Sequence, residues 1–361
     1  MGQAGRKAVV LEAGDAVGMR WRNHYDRLHL HTARALSGLP GMPMPAHLPR
    51  YPARRQVVEY LQSYAERFEI APRFGTRMQR ATGGPPWRVE TDRGAVEADN
   101  LVMATGFAGA PNRPRWPDAE AFAGRRIHAR DYRNPAPFRG RRVLVVGFGN
   151  SGGEIALDLV EAGVDTEISV RGPVNVTARD ILGLPAQRWT ILLSLMPPGL
   201  ADALTAPIRR PSSRGLAERG LRLSSKGPLR QIAEDRRIPL IDVGTLGLIR
   251  AGRLPVRPGI ARLNADGAVF ADGSTGRYDA IIEATGYVSD LRPLLPGAGE
   301  ALDAEGRPRD TGAARPGRGL FFCGYQVSAG GQLRQIGFDA RAIARAIARR
   351  KRHVARENAA I

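Results

Sequence analysis

Three glycines, at positions 147, 149 and 152, are the residues of this chain best suited to chemistry with a bound ligand. They occupy a G-x-G-x-x-G spacing in GFGNSGG, directly after the apolar run Val143 to Val146 and before a segment with helical periodicity through Val160. A strand, a tight turn and a helix start are expected. Gly147 permits the turn, Gly149 lets the backbone approach a pyrophosphate without a Cβ in the way, and Gly152 lets the helix close on the strand. The loop amides, those of Asn150 and Ser151 among them, and the positive end of the helix dipole then face the phosphates. This is the pattern of a dinucleotide site.

The next strand is expected over Thr166 to Val170, and Arg171 follows it where an NAD-selective site presents an acidic residue to the ribose 2′-hydroxyl. A guanidinium there suits a 2′-phosphate, so NADPH is favoured over NADH. Arg179 can add a second charge-assisted contact.

Those elements sit in a chain of 361 residues, long enough for two domains. An apolar content of 43% and a charged content of 25% are those of a globular protein. The net charge of +19 does not mark a nucleic-acid binder: arginine is spread along the whole chain, and lysine occurs only as Lys7, Lys226 and Lys351. Cys323 is the single cysteine, which excludes an internal disulfide and a Cys-x-x-Cys centre and makes a cytoplasmic location the expectation. The first residues show no signal-peptide pattern. Ile191 to Met196 is apolar, but Pro197, Pro198 and Asp202 interrupt it well short of a spanning length, leaving interfacial contact as its one membrane option.

Ahead of the glycine loop, Ala8 to Leu11 reads as a strand ending in Glu12, a carboxylate placed for an adenosine ribose. Such a carboxylate calls for a first strand and glycine loop about twenty residues earlier, which this sequence does not contain. Gly18 and Trp21 precede YDRLHLHT, Tyr25 to Thr32, where His29 and His31 alternate about Leu30 like strand residues and no further ligand completes a metal site. Arg55 to Phe68 is expected as an amphipathic helix with Val57, Leu61, Tyr64 and Phe68 on one face. Phe74 to Thr105 reads as a β-meander ending in Ala104-Thr105-Gly106, a triplet repeated at Ala284-Thr285-Gly286. Each triplet follows an apolar strand and marks a place where the chain crosses between nucleotide-binding domains.

Between the triplets, Phe122, Gly124, His128 and Tyr132 form F-x-G-x-x-x-H-x-x-x-Y. With GFGNSGGEIA, YDRLHLHT, the paired ATG triplets and the closing GGQLRQIGFDARAIARAI, nearly the whole chain resembles the class B flavin-dependent monooxygenases. Within them it is most similar to bacterial relatives of the YUCCA-type flavin-containing monooxygenases, and Tyr132 favours these over Baeyer–Villiger enzymes.

The resemblance implies an α/β fold of two Rossmann-like dinucleotide-binding domains, with FAD and NADPH as cofactors and dioxygen and a small molecule as substrates. Hydride passes to FAD, and a flavin hydroperoxide oxygenates an amine, a sulfide or an oxo acid such as indole-3-pyruvate. The FAD domain is expected over 1–106 and 287–361, a linker with the fingerprint over 107–140, and the NADPH domain over 141–286 with an insertion at about 180–239 that shapes the substrate entrance. Glu12, Trp21, Thr32, Gly324, Gln332 and Leu333 are then expected on the FAD side, and His128 sets domain geometry rather than moving protons. Two departures stand out: Gly18 is followed by Met19 where the family pairs glycines, and the FAD phosphate loop is missing. The expectation is that this loop belongs upstream of Met1, so that the chain as it stands binds little flavin. The alternative is a non-catalytic relative that senses NADP.

Overall fold

Within Arg142–Val146, the run from Val143 onward is valine and leucine on both faces, the composition of a strand covered from two sides. In the computed structural model, which describes residues 8–209, 215–312 and 319–358, it is the middle of a five-stranded sheet. In chain order the sheet's strands are β6 (Arg125–His128), β7 (Arg142–Val146), β8 (Asp165–Ser169), β13 (Val256–Arg257) and β17 (Ala280–Glu283). They pair in parallel in the order β13-β8-β7-β17-β6. Helix α3 (Asn150–Glu161) covers one face, where Ile155 and Leu159 pack with Val143 and Val145. The other face is covered by the meander β14 (Ile260–Asn264), β15 (Gly267–Phe270) and β16 (Thr275–Arg277), whose Phe270 packs with Leu144 and Val146.

The first hundred residues supply α1 (Met19–Arg22), α2 (Arg54–Arg67) and the antiparallel meander β1 (Met78–Gly83), β2 (Trp87–Thr91) and β3 (Gly94–Ala98). Strand β4 (Leu101–Met103) pairs in parallel with the distant β19 (Leu320–Phe322), and α8 (Gln332–Asn358) lays Ile343 and Ile347 against Phe321. The two ATG triplets follow β4 and β17. Just beyond them, β5 (Ala110–Pro111) and β18 (Tyr287–Val288) pair antiparallel, so the two crossing segments brace each other.

The expected insertion is mostly helical. Strand β9 (Val176–Ala178) leads into it, and it contains the hairpin β10 (Asp180–Ile181) and β11 (Leu184–Pro185), and the helices α4 (Ala186–Leu193), α5 (Pro198–Arg209) and α6 (Pro228–Asp235). Strand β12 (Leu240–Asp242) then pairs with β9, and α7 (Thr245–Arg250) returns the chain to the sheet.

Two expected strands do not form. Ala8 to Leu11 makes only a single parallel bridge, Leu11 to Arg73, with Val9 and Val10 exposed. A strand requires a laddered neighbour, and among the described residues β4 offers its pairing edge only to β19. His29 likewise bridges only Ala53, so YDRLHLHT is irregular chain, fixed by side chains instead.

Candidate functional site

The glycine loop forms as its spacing requires. Gly147 holds φ +109°, and a Cβ there would stand 2.5 Å from the carbonyl oxygen of Ala284. A Cβ on Gly152 would collide with the carbonyl oxygen of Gly147, so the close turn-to-helix contact needs glycine at both ends. Gly149 differs: it is extended, with φ −96° and ψ −177°, and a Cβ on it would meet no protein atom within 4 Å. The protein leaves that space open. The first-turn amides of α3 have no intrahelical acceptor, and an anion in the open space beside Gly149 would receive them. Asn150 and Ser151 are positioned by their side chains as well. Asn150 Oδ1 accepts from the Ile241 amide at 2.7 Å, and Ser151 hydrogen-bonds the buried Tyr25 hydroxyl.

Arg171 is exposed just beyond β8, its stem lying along Gly259. Arg179 is committed elsewhere: its guanidinium stacks 4.3 Å from the ring centre of Tyr51.

Glu154, one turn into α3, is the residue that the sequence did not single out. Its carboxylate is buried, pairs with His31 at 2.7 Å and hydrogen-bonds Tyr25. Burial raises the Tyr25 phenol well above its ordinary value, so this hydroxyl is a fixed donor. Through His31 and Tyr25 the nucleotide helix is held directly against the irregular segment that carries Thr32.

His128 closes the crossing. Its Nδ1 accepts from the Arg130 amide at 3.1 Å, which places the ring proton on Nε2, and Nε2 donates to the Gly286 carbonyl at 3.0 Å. Burial lowers its pKa and keeps it neutral. The other fingerprint residues are equally fixed. A Cβ on Gly124 would strike the Phe122 ring, and the buried Tyr132 hydroxyl donates to Asp158 at 2.7 Å. Beside His128, the fully buried Glu283 pairs with Arg126 at 2.7 Å and Arg113 at 3.2 Å.

Of the residues expected on the flavin side, the structure brings Thr32, Gly324 and Gln332 together. Gln332 Nε2 donates to the Gly324 carbonyl at 2.8 Å. Thr32 hydrogen-bonds Ser37 at 2.7 Å, and its methyl end lies against Gly331 at the start of α8. Gln187 of α4, also unforeseen, joins them by donating to the Gly330 carbonyl and accepting from the Ala33 amide. Trp21 packs between the sheet core and the cluster of Leu30, Met44 and Tyr60, against which Leu333 also packs. Glu12 is separate from this group. It accepts from the Gly14 amide at 2.7 Å and lines a cleft of about 1710 Å³ that runs past Thr105 to Ile347.

The fit to the two cofactors is therefore unequal. Open space at Gly149, first-turn amides and an exposed Arg171 fit NADPH. The Glu12 carboxylate, lining the cleft, has the chemistry to fit an adenosine ribose, but among the described residues no second glycine turn offers amides to a pyrophosphate. Burial and Asp339 push the Cys323 thiol up to about 11, so no thiolate is available to react.

Comparison with known proteins agrees with this geometry. The chain is 36% identical over 330 residues to the probable indole-3-pyruvate monooxygenase YUCCA1 of Arabidopsis thaliana, covering 89% of this chain and 80% of that protein. A flavin-containing monooxygenase from Stenotrophomonas maltophilia superposes with a TM-score of 0.69 at 26% identity, over 94% of this chain and 90% of that one. The fold is shared with NADP+-bound cyclohexanone monooxygenase from Rhodococcus sp. Phi1, with a TM-score of 0.68 at 17% identity over 95% and 80% of the two chains. The family model for flavin-binding monooxygenase-like proteins, oxidoreductases that use FAD and NADPH, matches residues 20–297, and this chain belongs to that family.

Proposed function

We propose that the chain is an NADPH-dependent oxygenase of a small 2-oxo acid of the indole-3-pyruvate type. The observation that carries the nucleotide half of this reading is the open space beside Gly149 at the head of α3. The substrate class is supported by the identity to YUCCA1, named as an indole-3-pyruvate monooxygenase. Bound cofactors supply the chemistry, reducing dioxygen and delivering one of its atoms to the substrate. The protein's part is to bind, to orient and to exclude water.

Gly147, Gly149 and Gly152 shape the phosphate cradle, Asn150 and Ser151 fix the start of α3, and Arg171 meets the 2′-phosphate. Glu12, Trp21, Thr32, Gly324, Gln332 and Leu333 form the flavin side. The neutral His128 holds the crossing segments in register and moves no proton. The division into an FAD-binding part over 1–106 and 287–361, a linker over 107–140 and an NADPH-binding part over 141–286 belongs to the same proposal.

NADPH oxidation followed with indole-3-pyruvate, a tertiary amine and a thioether in turn, after loading with FAD, tests the reading. Faster turnover with the oxo acid and formation of indole-3-acetate are expected; turnover of the amine or thioether alone would overturn the substrate assignment.

A further inference from the structure

Helix α4 has two unlike faces. Gln187 and Thr190 bond the carbonyls of Gly330 and Ala329, and Ile191 lies against Gly330, so this face is packed toward the start of α8. The opposite face, at the spacing of helical neighbours, carries Arg188, Leu192 and, just past the helix end, Leu195; all three are exposed, Leu195 at 83%. Helix α5 follows after a short turn and exposes Leu200 and Leu204, again one turn apart. The β10–β11 hairpin precedes α4 and is joined to it by Trp189 Nε1 donating to the Ile181 carbonyl at 3.0 Å.

At the hairpin tip stand Leu182 and Gly183, with φ +51° and +75°. A leucine is disfavoured in that backbone region, where asparagine or glycine would be at ease, and this one is 77% exposed. Neither folding nor packing accounts for an apolar side chain held there.

The charges around these leucines are one-sided. Arg50 donates to the Gly183 carbonyl at 3.1 Å but is paired with Asp180, so the guanidinium groups without an acidic partner among the described residues are those of Arg179, at the foot of the hairpin, and the exposed Arg188, one turn before Leu192. From 179 to 209 the acidic residues are Asp180 and Asp202 alone. Asp180 is bound by Arg50 and Tyr51, and Asp202 is buried, capping the Leu229 and Arg230 amides. Exposed leucines fringed by arginine and free of unpaired acid match an anionic bilayer surface. There the leucines enter the acyl boundary while the guanidinium groups meet lipid phosphates. Among the described residues no helix is long and apolar enough to cross a membrane, so this contact is peripheral.

We infer that the hairpin tip, the outer face of α4 and the exposed stripe of α5 form a docking surface for anionic lipid bilayers. The inference does not depend on the proposed substrate. Co-sedimentation of the full chain with phosphatidylcholine vesicles, with and without phosphatidylglycerol, tests it. Wild type should pellet with the anionic vesicles and remain in the supernatant with neutral ones. The pair Leu182→Asn with Leu195→Gln leaves the net charge unchanged and suits the backbone at 182; it should weaken vesicle binding by at least about tenfold. Leu200→Gln with Leu204→Gln should do the same from the other helix.

If both pairs pellet like wild type, the binding is diffuse attraction to a basic protein and the inference fails. It fails equally if wild type stays in the supernatant. If the substitutions instead convert a dimer to a monomer in light scattering with vesicle binding unchanged, a second copy of the chain covers the leucines and the lipid assignment is overturned.

Discussion

The imidazole Nε2 of His128 lies 3.0 Å from the carbonyl oxygen of Gly286, joining the end of β6 to the glycine of the second ATG triplet. The same carbonyl accepts from the Asn112 amide at 3.0 Å, and the Thr285 hydroxyl returns a bond to the Asn112 carbonyl at 2.5 Å. Both crossing segments therefore meet at one residue of the fingerprint.

Replacing His128 by alanine removes a buried hydrogen bond and leaves a void beside Tyr287. The expected loss is about 2–4 kcal/mol in denaturant unfolding, from an unpaired polar group plus a cavity. Because burial lowers the pKa of the ring, any transition in NADPH binding attributable to His128 should fall below the ordinary histidine value.

Glu283 is buried with Arg126 and Arg113 as its partners. Glu283→Gln takes the buried counter-charge from Arg126, while the half-exposed Arg113 keeps Asp131, and a loss of about 1–3 kcal/mol in stability is expected. Thermal and denaturant unfolding measure it directly.

Burial, with Arg20, Arg133 and Arg54 nearby, pushes His24 down from 6.5 to about 4. The folded state thus prefers the neutral ring. Its contribution to stability is fully present above pH 6.5 and is lost as pH falls through about 4. The melting temperature of wild type should fall across that window more steeply than that of His24→Gln, and parallel curves would refute the assignment.

Arg171→Ala should raise the KM for NADPH by about tenfold or more and leave that for NADH nearly unchanged, since only the 2′-phosphate loses a charge-assisted contact. Steady-state kinetics with each nucleotide separates the two.

Local chemistry made much of this architecture readable. The apolar run at 143–146, the glycine spacing and the 3.6-residue period after it specify β7 and α3 because each element's sequence suits its immediate surroundings. Helix α2 and the 78–98 meander were legible for the same reason. What stayed hidden depends on partners distant in sequence. Nothing near Glu154 announces His31, and nothing near Arg179 announces the Tyr51 ring that occupies it. Ala8 to Leu11 has the composition of a strand, yet a ladder needs a neighbour that composition cannot supply. The insertion holds three helices, with Pro198 and Pro228 at helix starts, where a missing amide costs nothing.

Among the three loop glycines, the fold requires Gly147 and Gly152 but leaves the space beside Gly149 open. Gly147→Ala and Gly152→Ala force a Cβ against backbone and should unfold the loop, lowering stability by more than about 2 kcal/mol. Circular dichroism melts of the two variants would show it.

The decisive measurement is NADPH titration of Gly149→Ala. Its backbone is already extended and its Cβ would enter open space, so stability should stay within about 1 kcal/mol of wild type. Affinity for NADPH should nevertheless fall by at least about tenfold, because the methyl group occupies the space proposed for the pyrophosphate. A folded variant that binds NADPH as tightly as wild type would contradict the account.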